Sequence, residues 1–222
     1  MASSVEICNM ALSRIRAGNI NSFDDATVQA DACSLWYGPT RDSLLEKYSW
    51  GFSVTTEALA LTSNDIFNWV YAYAYPSHCL HIETLIRNYE QYSATAGQPR
   101  PRSIEALVPG DFTAPVEYTK QITSDGDRLI LSNEKELRIR YRRSVEDPNK
   151  YSSLFIDALS ALLASRVAVH IVGADLGRAL KKDAQEDFKQ LITDAGISDA
   201  NQQSKAVAES EFVTVRGGVA AW

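Results

Sequence analysis

The chain has 222 residues, 45% of them apolar and 23% charged, with a formal net charge of −6. That balance is the composition of an ordinary folded domain, and it excludes the basic field that general nucleic-acid binding needs. At this length roughly 70% of the unfolded surface can be buried, so one sizeable domain, or a domain with a large insertion, is expected.

The first eighteen residues lack the charged-then-apolar pattern of an export signal, and export is not expected. Ser3 and Glu6 are spaced as a capping box. Val5, Cys8, Leu12 and Ile15 mark one face of a first helix, with Arg14 and Arg16 suited to its carbonyl end and Gly18 as a stop. In the polar connector that follows, Asp24 and Asp25 stand directly before a helix, where carboxylates are caps rather than catalysts. A second helical stretch runs from Ala26 to Tyr48 and carries Val28, Leu35, Tyr37, Leu44 and Leu45. Gly38-Pro39 falls inside it and predicts a kink or two abutting helices.

After a first β-branched, alternating stretch over Ser53 to Leu61, the pattern changes to period two from Phe67 to Arg143. Strands are expected over Ser53 to Leu61, Trp69 to Tyr75 and Cys79 to Ile86. Residues 88–111 hold Gly97, Pro99, Pro101, Pro109 and Gly110 and read as a long loop. Val116 to Ile122, Arg128 to Leu131 and Glu136 to Arg143 are expected to form a meander, with turns at Ser124-Asp125-Gly126-Asp127 and Asn133.

Tyr151 to Gly173 repeats apolar residues at three- and four-residue steps over about six turns, on more than one face. It must be covered on several sides, and Asp157, Arg166 and His170 interrupt it too much for a membrane span. An amphipathic helix follows, with Leu176, Leu180, Ala184, Phe188 and Leu191 on one stripe. The pattern sums to α+β: a four-helix-type bundle with an antiparallel β insertion between its second and third helices, plus an extended C-terminal tail. The bundle takes residues 1–52 and 148–200, the β-rich insertion 53–147, and the tail 201–222.

Few residues suggest chemistry. Cys8, Cys33 and Cys79 are an odd number in separate segments, and they read as reduced core thiols rather than a disulfide framework. His78 and His81 on a strand point to opposite faces, and His170 lies far along the chain, so no metal site is expected. No nucleophile elbow, phosphate loop or dinucleotide turn occurs, and Gly173 and Gly177 bracket a helix junction as a cap. No catalytic residue and no cofactor is expected.

Two stretches read as interaction surfaces. Arg138, Arg140 and Arg142 alternate along one strand, with Arg143 beside them, either as a solvated edge or as contact to an acidic partner or a neighbouring copy. The tail reads either as a plainly disordered terminus or as a docking segment, since Glu211 to Arg216 alternates enough to add to a partner's sheet, with Phe212, Val213, Val215 and the terminal Trp222 as apolar contacts.

Four places, taken together, resemble one phage family. Ile7-Cys8-Asn9-Met10-Ala11-Leu12-Ser13-Arg14-Ile15 is similar to the first helix of the tail tubular protein A or head-to-tail adaptor proteins of short-tailed and related bacteriophages. Tyr37 through Arg41-Asp42 and Leu44-Leu45 to Tyr48-Ser49-Trp50-Gly51-Phe52 resembles its second helix and aromatic exit. Tyr75-Pro76 with Cys79-Leu80 resembles its proline-punctuated strand, and Phe155 to Gly173 its alanine-rich third helix. Ser49 stands where a proline is expected and His81 where an arginine is usual.

The resemblance spans Ser3 to Ala195 and implies a structural virion protein rather than an enzyme. It implies a ring of twelve copies at the head-tail junction, assembled in the host cytoplasm, between the portal protein and the tail tube or nozzle. DNA would only pass through the channel, which a net negative chain suits. Membrane contact is not implied. The alternative from another class is a virion-associated cell-wall hydrolase acting during entry. Such an enzyme needs two carboxylates about 5–10 Å apart in a cleft, and the sequence names no such pair.

Overall fold

The computed structural model describes residues 3–63, 66, 68–87 and 116–202. The expected loop 88–111 lies outside the described residues, as does all of the tail beyond residue 202. Helix α1 (Ser4–Arg14) begins on the capping box: the Ser3 hydroxyl accepts from the Glu6 amide at 3.1 Å, and the Glu6 carboxylate accepts from the Ser3 amide at 2.6 Å. The chain leaves the helix through Arg16, at φ 58°, before it reaches Gly18. Helix α2 (Val28–Lys47) is capped by Thr27, whose hydroxyl accepts from the Ala30 amide. Asp25 is not the cap; its carboxylate accepts from the Asn21 and Ser22 amides and shapes the turn before the helix.

Pro39 neither splits nor ends α2, which is a single helix of 20 residues. The proline leaves the Leu35 carbonyl without its amide, but Leu35 and Pro39 both lie on the exposed face, where water can replace the missing donor.

Helix α3 (Ser153–Val172) is capped by Ser152 and ends at Gly173, at φ 96°, a conformation that favours glycine. Helix α4 (Ala174–Gln202) then folds back along it. A Cβ at Gly177 would stand 2.8 Å from the Val169 Cα, so only bare backbone lets α4 start this close to α3. Arg14 donates to the Ser160 hydroxyl at 3.2 Å and to the Asp187 carboxylate at 3.1 Å, which puts those two residues level on antiparallel helices. α3 packs on α1, α2 and α4, most extensively on α4. By length and composition α3 is apolar enough to cross a membrane, with mean hydropathy 1.7, yet more than half of that stretch is buried against its neighbours. Trp50, Phe52, Tyr151 and Phe155 close the end of this layer as edge-on and tilted rings 4.8–6.3 Å apart.

The strands, seven among the described residues, follow a different logic. β1 (Val54–Ala58), β7 (Leu137–Arg143) and β4 (Cys79–Arg87) form an antiparallel sheet in that order. β2 (Leu61–Thr62), β3 (Tyr71–Ala74), β6 (Arg128–Ser132) and β5 (Tyr118–Ile122) form a second, four-stranded one. Tyr73 and Ile130 of the second sheet pack with Ile82, Leu85, Ile139 and Tyr141 of the first, giving a core separate from the helical one.

This overturns the expectation of a four-helix-type bundle carrying one β insertion. The chain is α+β, with four α-helices and two antiparallel sheets of three and four strands among the described residues, and the strands are a substantial part of the body. The physical reason is that the strands bury their apolar faces mainly against each other, with Leu80 of β4 packing on the helical core. The expected meander also breaks. β5 and β6 form a hairpin, but the chain turns a corner at Glu136, at φ 59°, and β7 joins the other sheet. Tyr73 marks that corner by donating from its hydroxyl to the Glu134 carbonyl at 2.7 Å.

Candidate functional site

The arginine strand is the central strand of its sheet, paired with β1 on one side and β4 on the other, so a solvated edge is not what it is. Leu137, Ile139 and Tyr141 are buried on one face, which leaves Arg138, Arg140 and Arg142 on the other. That face meets the end of α2. Glu83 on β4 accepts from Arg140 Nε at 3.0 Å and from Arg142 Nε at 3.1 Å, and the Ser49 hydroxyl adds a third bond at 2.7 Å. Arg142 Nη1 also donates to the Glu46 carbonyl at 2.7 Å, satisfying one of the free carbonyls that end α2. Burial by itself would raise the Glu83 carboxyl. The Ser49 hydroxyl and the two guanidiniums outweigh it and hold the group below the usual carboxylate range.

Arg140 and Arg142 are therefore spent on joining sheet to helix. Arg138 is exposed and, among the described residues, has no ion-pair partner; Arg143 is half-buried. A second polar joint lies nearby. Arg41 grips Asp42 through two bonds of 2.9 and 3.2 Å, and the Ser144 hydroxyl donates to the same carboxylate at 2.8 Å, tying α2 to the segment after β7. The other four residues expected to contact partners, Phe212, Val213, Val215 and Trp222, lie outside the described residues.

The remaining chemistry is sparse. Cys8, Cys33 and Cys79 are all buried and free. Interaction with Cys33, then burial, pushes the Cys8 thiol well above its ordinary value, where it is not a nucleophile. His81 is on β4, His78 in the turn before it and His170 exposed on α3. Among the described residues no three His, Cys, Asp or Glu side chains gather as a metal ion requires. A shallow groove of about 560 Å³ over α1 is lined by Glu6, Asn9, Met10, Ser13, Arg14 and Asn19. Its two ionisable groups are already engaged, Glu6 in the capping box and Arg14 with Asp187.

One surface went unread in the sequence. Val28, Leu35 and Trp36 all lie on the outside of α2, with Leu35 68% exposed. Val28 and Leu35 were noted only as apolar residues of the second helical stretch, with no face assigned to them, and Trp36 was not singled out. The available signal was the stripe Val28, Asp31, Leu35, spaced by three and four residues away from the buried Ala30, Cys33, Tyr37 and Leu44. No family model matches the chain, and no curated protein matches it.

Proposed function

We propose that the chain is a structural virion protein, a head-to-tail adaptor whose copies form a ring of twelve between the portal and the tail tube or nozzle. It performs no catalysis and needs no cofactor. It assembles in the host cytoplasm and resides at the head-tail junction, where DNA passes through the channel without being held. The reading starts from the resemblance of Ile7–Ile15, Tyr37–Phe52, Tyr75–Leu80 and Phe155–Gly173 to the adaptor family.

The observation that carries it is the outer face of α2. The helix closes a core with one side and exposes Val28, Leu35 and Trp36 on the other. An apolar stripe left on a self-sufficient body is what a subunit uses against another protein. The polar joints at Glu83 and Asp42 support the same reading, since they hold the two layers as one stiff wedge. Arg138, exposed on the sheet face, is the arginine available to an acidic partner.

Negative-stain imaging of the purified protein with and without its portal tests this. Twelve-fold rings on the portal are expected, with docking weakened by Arg138→Glu in a salt-sensitive way. Failure to bind portal, together with clearing of cell-wall glycan in a zymogram, would replace the adaptor with the hydrolase.

A further inference from the structure

Arg166 of α3 reaches into the seam between α3 and α2. Its guanidinium donates to two neutral hydroxyls, Thr40 Oγ1 and Ser43 Oγ, each at 3.1 Å, and its Cζ lies 5.9 Å from the Trp36 ring centre. Among the described residues no carboxylate pairs with it. Burial draws its pKa below the ordinary value, so the positive charge here is uncompensated. The surroundings are exposed and apolar: Leu35 beside Trp36 on α2, and Val169 one turn along α3. His170 follows Arg166 by four residues on the same side of α3. A half-buried guanidinium over a tryptophan, with exposed apolar side chains on the same two helices, is the make-up of a binding hot spot. Its occupant must bring a carboxylate next to apolar groups.

The chain carries such a segment beyond the described residues: Glu209-Ser210-Glu211-Phe212-Val213. Reach decides whose segment it is. Ser160 and Asp187 are level on the antiparallel helices, held by Arg14. At 1.5 Å per residue, Gln202 lies about 22 Å from that level in one direction and Arg166 about 9 Å in the other. The nine residues from Gln202 to Glu211 span at most about 32 Å when fully drawn out, so the chain's own segment would have to be stretched taut to cross from α4 around to the α2 side of α3. A second copy is under no such limit.

We propose that the segment Glu209–Val213 of one copy seats on the Leu35–Trp36–Arg166 patch of another, a glutamate on the guanidinium and Phe212 beside Trp36. This rests on the self-assembly reading and deepens it by naming the contact. The two surfaces are different, so the contact is heterologous, the kind that builds a ring where the rotation between copies closes.

The test uses a fluorescent synthetic peptide of residues 203–222 added to the full-length protein and followed by anisotropy, alongside sedimentation of the protein alone. Saturable, salt-sensitive binding is expected. Leu35→Ser or Arg166→Gln in the protein, or Glu209→Gln with Glu211→Gln in the peptide, should weaken it at least tenfold, and the protein variants should lose self-association in parallel. Leu35 is mostly exposed, so Leu35→Ser keeps the fold even if Arg166→Gln does not, and thermal melts check both. No binding, binding unchanged by Leu35→Ser, or equal binding of a scrambled peptide overturns the proposal. Rings that still form on the portal while the peptide fails would sink this contact alone. A peptide that binds as described while portal binding fails would sink the adaptor reading instead.

Discussion

The helical layer and the strand layer are held together by opposite means. The helices close around α3 with apolar side chains that leave no exposed surface, Phe155, Leu159 and Leu163 among them. The sheets share a smaller core, and what binds them to the helices is polar: Glu83 with Arg140, Arg142 and Ser49, and Asp42 with Arg41 and Ser144. Apolar packing is strong but indifferent to direction, whereas a carboxylate held by two guanidiniums fixes one arrangement. The body of each layer therefore sets stability, and the joint between them sets the angle.

The sharpest way to break this contrast is in the helical core. Phe155→Ala should cost about 4 kcal/mol, read from the denaturant midpoint, because the ring is buried among Trp50, Phe52 and Tyr151. Loss near 1 kcal/mol would mean the layer collapses onto the gap. Gly177→Ala tests the close approach of α4 to α3. Its new methyl meets backbone that cannot step aside, and a loss of about 2–3 kcal/mol is expected.

At the joint, Glu83→Gln should cost about 2 kcal/mol, the range of hydrogen bonds to charged groups. Since the joint sets an angle, this variant should also alter the small-angle scattering profile, which Phe155→Ala in its folded state should not. Its pH dependence has a definite sign. The folded carboxyl titrates below its ordinary range, so the stabilisation is complete above that range and is lost as pH falls through the lowered value. In Glu83→Gln the acid loss should be shallower; identical acid curves would show that the clamp carries no titrating stability. The smallest effect is expected at Leu35→Ser, within about 0.5 kcal/mol, since the side chain faces outward.

How much of this could be read beforehand varies by interaction range. The Ser3–Glu6 capping box and the course of α3 are local, and local spacing was enough to find them. Alternation along β7 correctly separated Arg138, Arg140 and Arg142 from Leu137, Ile139 and Tyr141. It could not say which sheet the strand joins, because period two records the face and not the neighbour. That is why a single meander was expected where the chain turns at Glu136 into a second sheet. Glu83 was passed over because its arginines stand 57 and 59 residues away. On α2, Asp24 and Asp25 were expected as caps, and the structure gives that role to Thr27, with Asp25 bonded to the Asn21 and Ser22 amides instead.

The apolar cylinder at the middle of the helical layer has one more consequence. α4, which covers more of it than any other helix, is synthesised after it. While the nascent chain lengthens, α3 stands with that side bare and with the composition of a bilayer-crossing segment. Exposed apolar surface of that kind invites misassembly and chaperone binding in that interval. The pace at which the ribosome delivers α4 therefore bears on the yield of correctly folded protein.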